Sequence, residues 1–340
     1  MILSRRNNYI DSLRITISLF LPIVLAASLN QLDKGLIIGF SSFLNGICGV
    51  GENNWQRFYA TLSAGMLITC TTVLGSLFAP TSSIILVLFG ISLFIAGLVV
   101  HLKNEAISIV TYFGAVGWLI GSSMHAGGMS SQSLFLLWIA GVILSLLFLI
   151  ISFPIQSQEM MHQKKSKHKI DLWQFDGIIY AFELASLGIL CTAIAFHINP
   201  QHGIWATATA LAVLHPEHNT RWLRIIYRMI GTLIGVALTI IFVHLLQQSI
   251  YLLLFAACCS LIALIMRKQH YGIFMVFVTP MIIIVAGINS PAIIPLAEER
   301  ALYTGMGIGF AALFTLVMSL RFWRKNSHID NEAYINIDSN

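Results

Sequence analysis

Residues Gly203 to Val243 read GIWATATALAVLHPEHNTRWLRIIYRMIGTLIGVALTIIFV, and this stretch holds the pattern that decides the fold. It contains a short apolar run over 203–215, a polar stretch with arginines, and the start of a long apolar run over 227–246. Within each run the apolar residues follow one another without alternating with polar ones, which favours helices in lipid over a membrane β-barrel. The stretch therefore predicts two membrane helices joined by a polar turn.

The composition of the whole chain agrees with this interpretation. Of its 340 residues, 57% are hydrophobic and 10% are charged, whereas a soluble domain carries roughly 25% charged residues. The mean hydropathy is +0.83. A soluble enzyme, a nucleic-acid-binding module and a disordered chain are therefore excluded, and membrane lipids are predicted to surround most of the surface. The net charge of +5 is attributed to basic residues on the cytoplasmic side, with no nucleic-acid partner.

Twelve apolar runs follow one another along the chain. The predicted spans cover residues 14–30, 35–50, 60–79, 83–100, 106–124, 133–153, 176–197, 203–215, 227–246, 249–266, 271–288 and 301–320. The second and eighth are short, since a full crossing needs about 20 residues. The predicted fold class is therefore all-α, a polytopic membrane protein with about twelve transmembrane helices.

The positions of the basic residues predict the orientation of these helices. If the chain starts in the cytoplasm and crosses twelve times, all 19 lysines and arginines except Lys34 and Arg300 lie in inner segments. Basic residues are enriched in cytoplasmic loops, so this distribution supports both the count of spans and the orientation. We therefore expect a multi-pass protein of the cell inner (plasma) membrane with both termini in the cytoplasm.

A polar segment near the middle of the chain divides it into two membrane parts. The predicted organisation is a first six-helix repeat over 1–155, a basic cytoplasmic linker over 156–174, a second six-helix repeat over 175–325 and a cytoplasmic tail over 326–340. The linker contains Lys164, Lys165, Lys167 and Lys169. It either serves as a solvated topology anchor or also contacts anionic lipid headgroups.

Weak sequence matches between the two halves predict an internal repeat. Each match lies 166 to 171 residues further along the chain; the matched sets are Arg57-Ala60-Thr61-Leu62 with Arg228-Gly231-Thr232-Leu233, Gly35 with Gly203, and Ala106-Ile107 with Gly272-Ile273. Because each half contains an even number of spans, the repeats are predicted to be parallel and related by an axis along the membrane normal.

The short second and eighth spans occupy matching places in the two halves. Each is followed by a polar stretch and an arginine, and Pro200 and Pro216 flank the eighth. Short or broken helices in corresponding positions are typical of transport sites near the membrane midplane. The alternative is that both helices are merely tilted or shallow.

Arginines near these helices are the candidate substrate-binding residues. Arg221, Arg224 and Arg228 are spaced by three and four, so they share one helical face and could gather an anion. Arg57 is the matching arginine of the first half, and Arg300 lies just before the twelfth span with Glu298 and Glu299. The alternative for the first three is that they only set the topology, as basic residues at inner helix ends do. Trp205 and Trp222 are interpreted as interface and packing aromatics.

Glu183 is the candidate proton-coupling residue. It lies inside the seventh span, where a carboxylate is unfavourable and usually marks a pathway, a proton site or an ion pair. Arg14 occupies nearly the equivalent place in the first half, so one hypothesis is that Arg14 and Glu183 approach each other. The alternatives are that Glu183 takes up and releases a proton, or that it is a shallow residue reaching the interface.

Sequence motifs for other chemistry are missing. The chain has no phosphate-binding loop of the ATPase type, no serine elbow and no zinc-protease motif, so it is predicted not to be an enzyme. Its histidines and five cysteines lack the spacing of a metal site, and neither a metal nor any other cofactor is predicted. The cysteines are interpreted as small buried apolar residues.

Three stretches of the second half resemble the fusaric-acid-resistance-like (aromatic acid exporter) family. They are Gly203–Val243, the segment YGIFMVFVTP over Tyr271–Pro280 and ERALYTGMGIG over Glu299–Gly309, with Arg224 and Arg228 in the most specific part. The resemblance implies tandem six-helix halves and efflux of aromatic carboxylates or other organic solutes. Larger members carry a soluble domain after the sixth span, which about twenty polar residues replace here. Glu183 does not belong to the family pattern.

These observations predict a secondary transporter that exports small organic anions, aromatic or weak-acid, and is driven by the proton gradient. One alternative is an anion channel, which needs no coupling carboxylate. Another is an accessory membrane subunit of a larger export complex, and the chain is also compatible with assembly into a homo-oligomer.

Overall fold

The computed structural model describes residues 2–51, 53–100, 104–153, 175–246, 248–267, 269–288 and 293–337. Within these ranges the chain forms twelve α-helices and no β-strand. The helices are α1 (Ile2–Ser28), α2 (Leu32–Cys48), α3 (Asn54–Gly75), α4 (Ser83–Val100), α5 (Glu105–Ala126), α6 (Ser131–Ser152), α7 (Phe175–Ile198), α8 (Ile204–Val213), α9 (His218–Leu245), α10 (Ser249–Met266), α11 (Tyr271–Gly287) and α12 (Ile293–Ile337).

Every predicted apolar run coincides with one of these helices, so the all-α prediction is confirmed. In the described residues, nine helices are long and apolar enough to cross a membrane. The other three are shorter: α2 and α11 have 17 residues each, and α8 has only 10. The sequence anticipated the short α2 and α8 but not the short α11. At 1.5 Å per residue, α8 is about 15 Å long and spans about half of a hydrocarbon core.

Local residues fix both ends of α8. Before the helix, the side-chain oxygen of Asn199 accepts hydrogen bonds from the backbone N–H groups of Gln201 (3.0 Å) and His202 (3.1 Å), which holds a tight turn. After the helix, Leu214 adopts an extended conformation, and Pro216 restricts the backbone that follows. The polar turn predicted between the eighth and ninth spans is therefore present.

Four helices begin at least six residues earlier than the sequence predicts, and two of them are α1, at Ile2 instead of 14, and α3, at Asn54 instead of 60. The ninth apolar run starts at residue 227, but α9 begins at His218, so Arg221 and Arg224 belong to the helix. The twelfth run starts at residue 301, but α12 begins at Ile293. Arg300 therefore lies two turns inside a helix and not in a loop before it, which corrects the expectation. Helix α12 also continues to Ile337 through most of the predicted tail, whereas the predicted linker 156–174 lies outside the described residues.

Close contacts at small residues define the directions of neighbouring helices. Gly114, Gly117 and Gly121 of α5 lie against successive turns of α3, so these two helices run in parallel, as do α9 and α11 at Gly231 and Gly235. The contacts of Gly35, Gly39 and Gly46 with α1 and those of Gly90 and Gly97 with α7 define antiparallel pairs. The odd-numbered helices thus begin at one face, called here the amino-terminal face, and the even-numbered helices begin at the opposite face. Glycine at these positions lets the backbones approach closely.

The buried core has two main clusters, and each draws helices from both sides of residues 154–174. One cluster combines α1, α2, α3 and α6 with α10 and α11, and the other combines α7, α8, α9 and α12 with α4 and α5. The contacts of α4 with α7 and of α1 with α10 join the two parts of the chain. The first and second six helices are therefore interlocked.

Candidate functional site

Arg228 of α9 is a buried arginine in the second half of the chain. Its side chain donates one hydrogen bond to the hydroxyl of Thr209 on α8 (3.3 Å) and one to the sulfur of Met275 on α11 (2.7 Å). It lies ten residues after the first residue of α9, or about 15 Å from the amino-terminal face along the helix. Its depth matches that expected of a group near the membrane midplane.

Arg300 of α12 reaches the same depth from the opposite face. It lies seven residues, or about 10 Å, after the start of α12 and is only 5% exposed. Its guanidinium group lies over the ring of Trp205 on α8, 5.1 Å from the ring centre. The contacts of these two arginines on α8, Trp205 for Arg300 and Thr209 for Arg228, lie one helical turn apart on the same face, so the two buried positive charges are neighbours. We call these two residues the arginine pair.

The arginine pair leaves several polar atoms without a partner. Within the described residues, the Nε atoms of Arg228 and Arg300 make no hydrogen bond, and neither does the hydroxyl of Thr304, one turn after Arg300 on α12. No described carboxylate forms a salt bridge with either arginine. Burying unpaired charge is strongly unfavourable. The arrangement therefore provides unmatched donors that a bound anion would satisfy.

Arg224 lies between the arginine pair and the amino-terminal face. It is half-buried, and its guanidinium group lies 5.6 Å from the ring centre of Tyr271 at the start of α11. Tyr112 of α5 and Tyr180 of α7 are within electrostatic range of Arg224. A partly accessible arginine among tyrosines thus leads from the amino-terminal face toward Arg228.

Arg221 has a buried acidic partner. One of its terminal nitrogens donates to the carboxylate of Glu183 on α7 at 2.5 Å, and its Nε donates to the backbone carbonyl of His215. Both side chains are nearly inaccessible to solvent. The predicted approach of Arg14 to Glu183 is therefore wrong, because Glu183 pairs with Arg221 and Arg14 lies 3.5 Å from Asp11.

The first half contains a similar ion pair between Asp11 of α1 and Arg57 of α3. Arg57 is the fourth residue of α3 and donates through Nε to the carbonyl of Gly49 in the preceding loop (3.3 Å). Arg221 is the fourth residue of α9 and makes the equivalent contacts. The structural counterpart of Arg57 is thus Arg221, whereas the sequence match pointed to Arg228. Asp11 was not predicted, although it precedes Glu183 by nearly the repeat distance.

Arg57 does not join the arginine pair. Its helix α3 packs against α2, α5 and α6 and has no extensive contact with α9 or α12. Of the five predicted substrate-binding residues, the structure thus brings Arg228 and Arg300 together, places Arg224 beside their approach, and engages Arg221 with Glu183.

His215 belongs to the polar turn between α8 and α9. Its ring Nδ1 accepts a hydrogen bond from the backbone N–H of Glu217 (3.2 Å). Burial lowers the pKa of His215 below its ordinary value, and the positive charge of Arg224 lowers it further. The neutral ring is therefore favoured, as the accepting Nδ1 requires.

A third contact between a basic and an acidic side chain lies near the opposite face, at the start of α8. The Nδ1 atom of His202 is 2.6 Å from a carboxylate oxygen of Glu299 on α12. The ring of His202 stacks on that of Trp205, with centres 5.0 Å apart and planes within 16°. The sequence analysis interpreted Trp205 as an interface and packing residue, whereas its ring contacts both His202 and Arg300. The contact between His202 and Glu299 has no signal in the sequence, because it depends on how the start of α8 meets α12.

The described residues contain no group of three or more histidine, cysteine, aspartate or glutamate side chains that could hold a metal ion. Cys48, Cys191 and Cys259 are buried as predicted, while Cys70 and Cys258 are exposed on the outside of the bundle. All five are free thiols.

The fold and the site together define a multi-pass helical membrane protein with buried cationic groups. Residues 190–314 match the family model described as fusaric acid resistance protein-like, which confirms the resemblance found in the sequence. The match covers 125 of the 340 residues and relates this part of the chain to membrane transport. The matched segment includes the arginine pair and Trp205 but not Glu183 or the first six helices. No curated protein and no solved structure matches the chain.

Proposed function

We propose that the protein is a secondary transporter of the inner membrane that exports small organic anions and is driven by the proton gradient. The observation that carries the proposal is the arginine pair, two buried guanidinium groups with no carboxylate partner among the described residues. Intramembrane charges of this kind are retained where they bind a substrate or an ion.

A carboxylate is the ligand that fits the arginine pair best. It would accept hydrogen bonds from the two free Nε atoms and from the hydroxyl of Thr304. Charge-assisted bonds from arginine to a carboxylate are about twice as strong as neutral ones. They would also offset the repulsion between Arg228 and Arg300. Trp205 and Met275 would supply apolar contacts for the rest of an organic anion.

The position of the arginine pair supports a transporter with access from both sides. The pair lies roughly midway between the two faces, and α8 is a half-length helix directly beside it. Transporters commonly bind substrate near the midplane at broken helices. Arg224, half-buried beside Tyr271, would draw the anion toward the pair from the amino-terminal face, which we assign to the cytoplasm.

The ion pair between Glu183 and Arg221 supports a proton-coupled mechanism. While Glu183 is ionised, the pair ties α7 to the start of α9. Protonation of Glu183 removes this tie and leaves Arg221 without its buried partner. The protonation state of one carboxylate would thereby change how two helices next to the site are held together, which is what coupling requires.

We further propose that the protein consists of two parallel six-helix repeats. The helix contacts support this: α1 with α2 corresponds to α7 with α8, α3 with α5 to α9 with α11, and α2 with α6 to α8 with α12. The ion pairs Asp11–Arg57 and Glu183–Arg221 occupy equivalent places. Both termini would then be cytoplasmic, in agreement with the distribution of basic residues.

Transport by the purified protein in proteoliposomes tests the proposal. Vesicles loaded with a labelled aromatic or aliphatic carboxylate should release it faster with the protein than without it, and an imposed pH gradient should accelerate release. The single variants Arg228→Gln and Arg300→Gln should reduce the rate at least about tenfold, since each removes a charge-assisted contact of about 1.5–3 kcal/mol. Lys34→Gln, which removes an exposed positive charge, is the matched control and should transport normally.

Other results would lead to a different function. Passive, conductive flux that ignores the pH gradient would indicate an anion channel. A lack of flux from the purified chain, restored by membrane extract, would indicate an accessory subunit. Glu183→Gln should retain anion flux but lose its response to the pH gradient; a full response in this variant would remove Glu183 from the coupling mechanism.

A further inference from the structure

The ion pair near the opposite face, the stacked rings and Arg300 form one continuous series of contacts. His202 contacts Glu299 at 2.6 Å, the His202 ring stacks on the ring of Trp205, and the guanidinium group of Arg300 lies 5.1 Å from the centre of that same ring. The series runs from partly exposed side chains, His202 at 32% and Glu299 at 42%, to the buried Arg300. Trp205 is therefore the side chain between the outer ion pair and the arginine pair.

We infer that His202, Trp205 and Glu299 form a cover over Arg300 that controls access to the arginine pair from the opposite face. The inference rests on the proposed function, because it takes the arginine pair as the anion site. In this arrangement Trp205 positions Arg300, while His202 and Glu299 position Trp205. None of the three is required to contact the anion.

Trp205 has two physical roles in this cover. Its aromatic face attracts the guanidinium group of Arg300 and stabilises it where no carboxylate is available. Its ring also joins His202, at the start of α8, to the guanidinium group of Arg300 on α12. An anion that arrives at Arg300 supplies the missing negative charge, which makes the contact with Trp205 dispensable. Occupation of the site would thus weaken the contact that keeps the cover closed.

The ion pair fixes the start of α8 to α12. The backbone of His202 is held in the turn before α8 by the side chain of Asn199. Through its contact with Glu299, at 2.6 Å, the ring of His202 joins this turn to α12.

Few other charged groups act on His202 from the elements around it. On α12 these are Glu298, Glu299 and Arg300, and at the end of α7 it is His197. Two further histidines on helices that contact α8 have their own partners: His125 contacts the Ser76 carbonyl, and His244 contacts the Ile240 carbonyl. Glu299 is thus the group in direct contact with His202.

The accessibility of a cysteine behind the cover tests the inference without measuring transport. In a variant whose five native cysteines are alanine, Thr304→Cys places a thiol one turn below Arg300. A membrane-impermeant maleimide is added to right-side-out or inside-out vesicles. With the cover intact, the thiol introduced by Thr304→Cys should react slowly with maleimide added on the opposite face.

Opening the cover should expose the thiol. Trp205→Ala should raise the reaction rate from the opposite face at least about tenfold, equivalent to a lost contact of about 1.4 kcal/mol. Trp205→Phe keeps an aromatic face and should stay near the original rate. Glu299→Gln, which removes the charged partner of His202, should also raise the rate. Glu298→Gln, the exposed neighbour, is the matched control and should not change the rate.

An unchanged reaction rate in both Trp205→Ala and Glu299→Gln would overturn the inference. So would an equal increase in the rate from both faces of the membrane, because it would mean that the helix bundle as a whole had loosened. The proposed function fails differently, through normal anion flux in Arg228→Gln and Arg300→Gln. The two failures are therefore distinguishable in the same set of proteins.

Discussion

The contacts of Arg300 depend on the shape of its side chain as well as on its charge. Its planar guanidinium group faces the ring of Trp205, and its Nε has no hydrogen-bond partner and is available to donate to a bound anion. A lysine would keep the charge but lose the planar fork and most of the stacking. The two properties can therefore be separated by substitution.

We expect Arg300→Lys to bind the anion more weakly while transporting it at a similar maximal rate. KM should rise about tenfold, in line with the loss of a stacked, fork-like contact of about 1–2 kcal/mol. Arg300→Gln should instead lose transport almost completely, because no charge remains. Initial rates of anion flux over a range of substrate concentrations distinguish the two. Equal KM values for Arg300→Lys and the unchanged protein would contradict the role given to the guanidinium plane.

His215 gives the structure a predictable response to acid. Its pKa is lowered in the folded protein by burial and by Arg224, so the unfolded chain binds a proton first as the pH falls. Stability should therefore decrease as the pH drops below the ordinary value of histidine near 6.5. We expect the melting temperature in detergent to fall between pH 7 and pH 5.5, and to fall less in His215→Asn. An identical decrease in the variant would assign the effect to other groups.

The sequence identified the arginines because charged residues inside apolar runs are conspicuous, and their spacing placed three of them on one helical face. It did not identify Asp11, His202 or Trp205 as parts of ion pairs and stacks. The contacts of Asp11 with Arg57, of His202 with Glu299 and of Trp205 with Arg300 join separate helices or turns, and single-residue patterns carry no information about which helix faces which. The sequence identified Arg300 as a candidate site residue but did not predict that it lies two turns inside a helix.

At the scale of the helices, close packing of α3 against α5 depends on a missing side chain. A methyl group at Gly121 would overlap the backbone carbonyl of Thr72 on α3, which has no room to move. Gly305 on α12 has nothing within reach of such a group and provides a helical control.

We expect Gly121→Ala to destabilise the protein by about 1–3 kcal/mol, the usual effect of overpacking. Gly305→Ala should be neutral or slightly stabilising, since alanine favours helix by up to about 1 kcal/mol over glycine. Thermal unfolding in detergent measures both. If Gly121→Ala were as stable as Gly305→Ala, the two helices would not be as close as the structure indicates.

The presence of each helix was predictable from hydropathy, but the starts of α1, α3, α9 and α12 were not. Helices α9 and α12 continue through charged residues that a hydropathy window excludes. Those residues remain in the helices because Arg221, Glu299 and Arg300 contact neighbouring side chains in the interior. The starts of α9 and α12 that the sequence misplaced therefore include residues of the candidate site.

At the scale of the whole molecule, the interlocked cores predict that neither half is stable alone. Helices α10 and α11 complete the core of α1, α2, α3 and α6, and α4 and α5 complete the other. Six helices expressed by themselves would expose the face that the other half covers.

We expect fragments 1–155 and 175–340, expressed together, to assemble into a complex that co-purifies through a tag on one fragment. Each fragment alone should aggregate or be degraded. Co-purification after affinity capture and the melting temperature of the complex measure assembly. Two fragments that are each monodisperse and stable when expressed separately would contradict the interlocked arrangement.

Helix α8 has a consequence for the lipid around it. Helix α8 has 10 residues, none of them exposed, so the rest of the bilayer depth beside it must be taken up by neighbouring helices, by water at the polar turn or by a locally thinner bilayer. Short-chain phospholipids reduce this mismatch and long-chain ones enlarge it. Anion flux should therefore pass through a maximum as the acyl chains of the vesicle lipid lengthen. This maximum should occur in thinner membranes than it does for carriers built only of full-length spans. A rate independent of membrane thickness would indicate that neighbouring helices shield α8 from lipid.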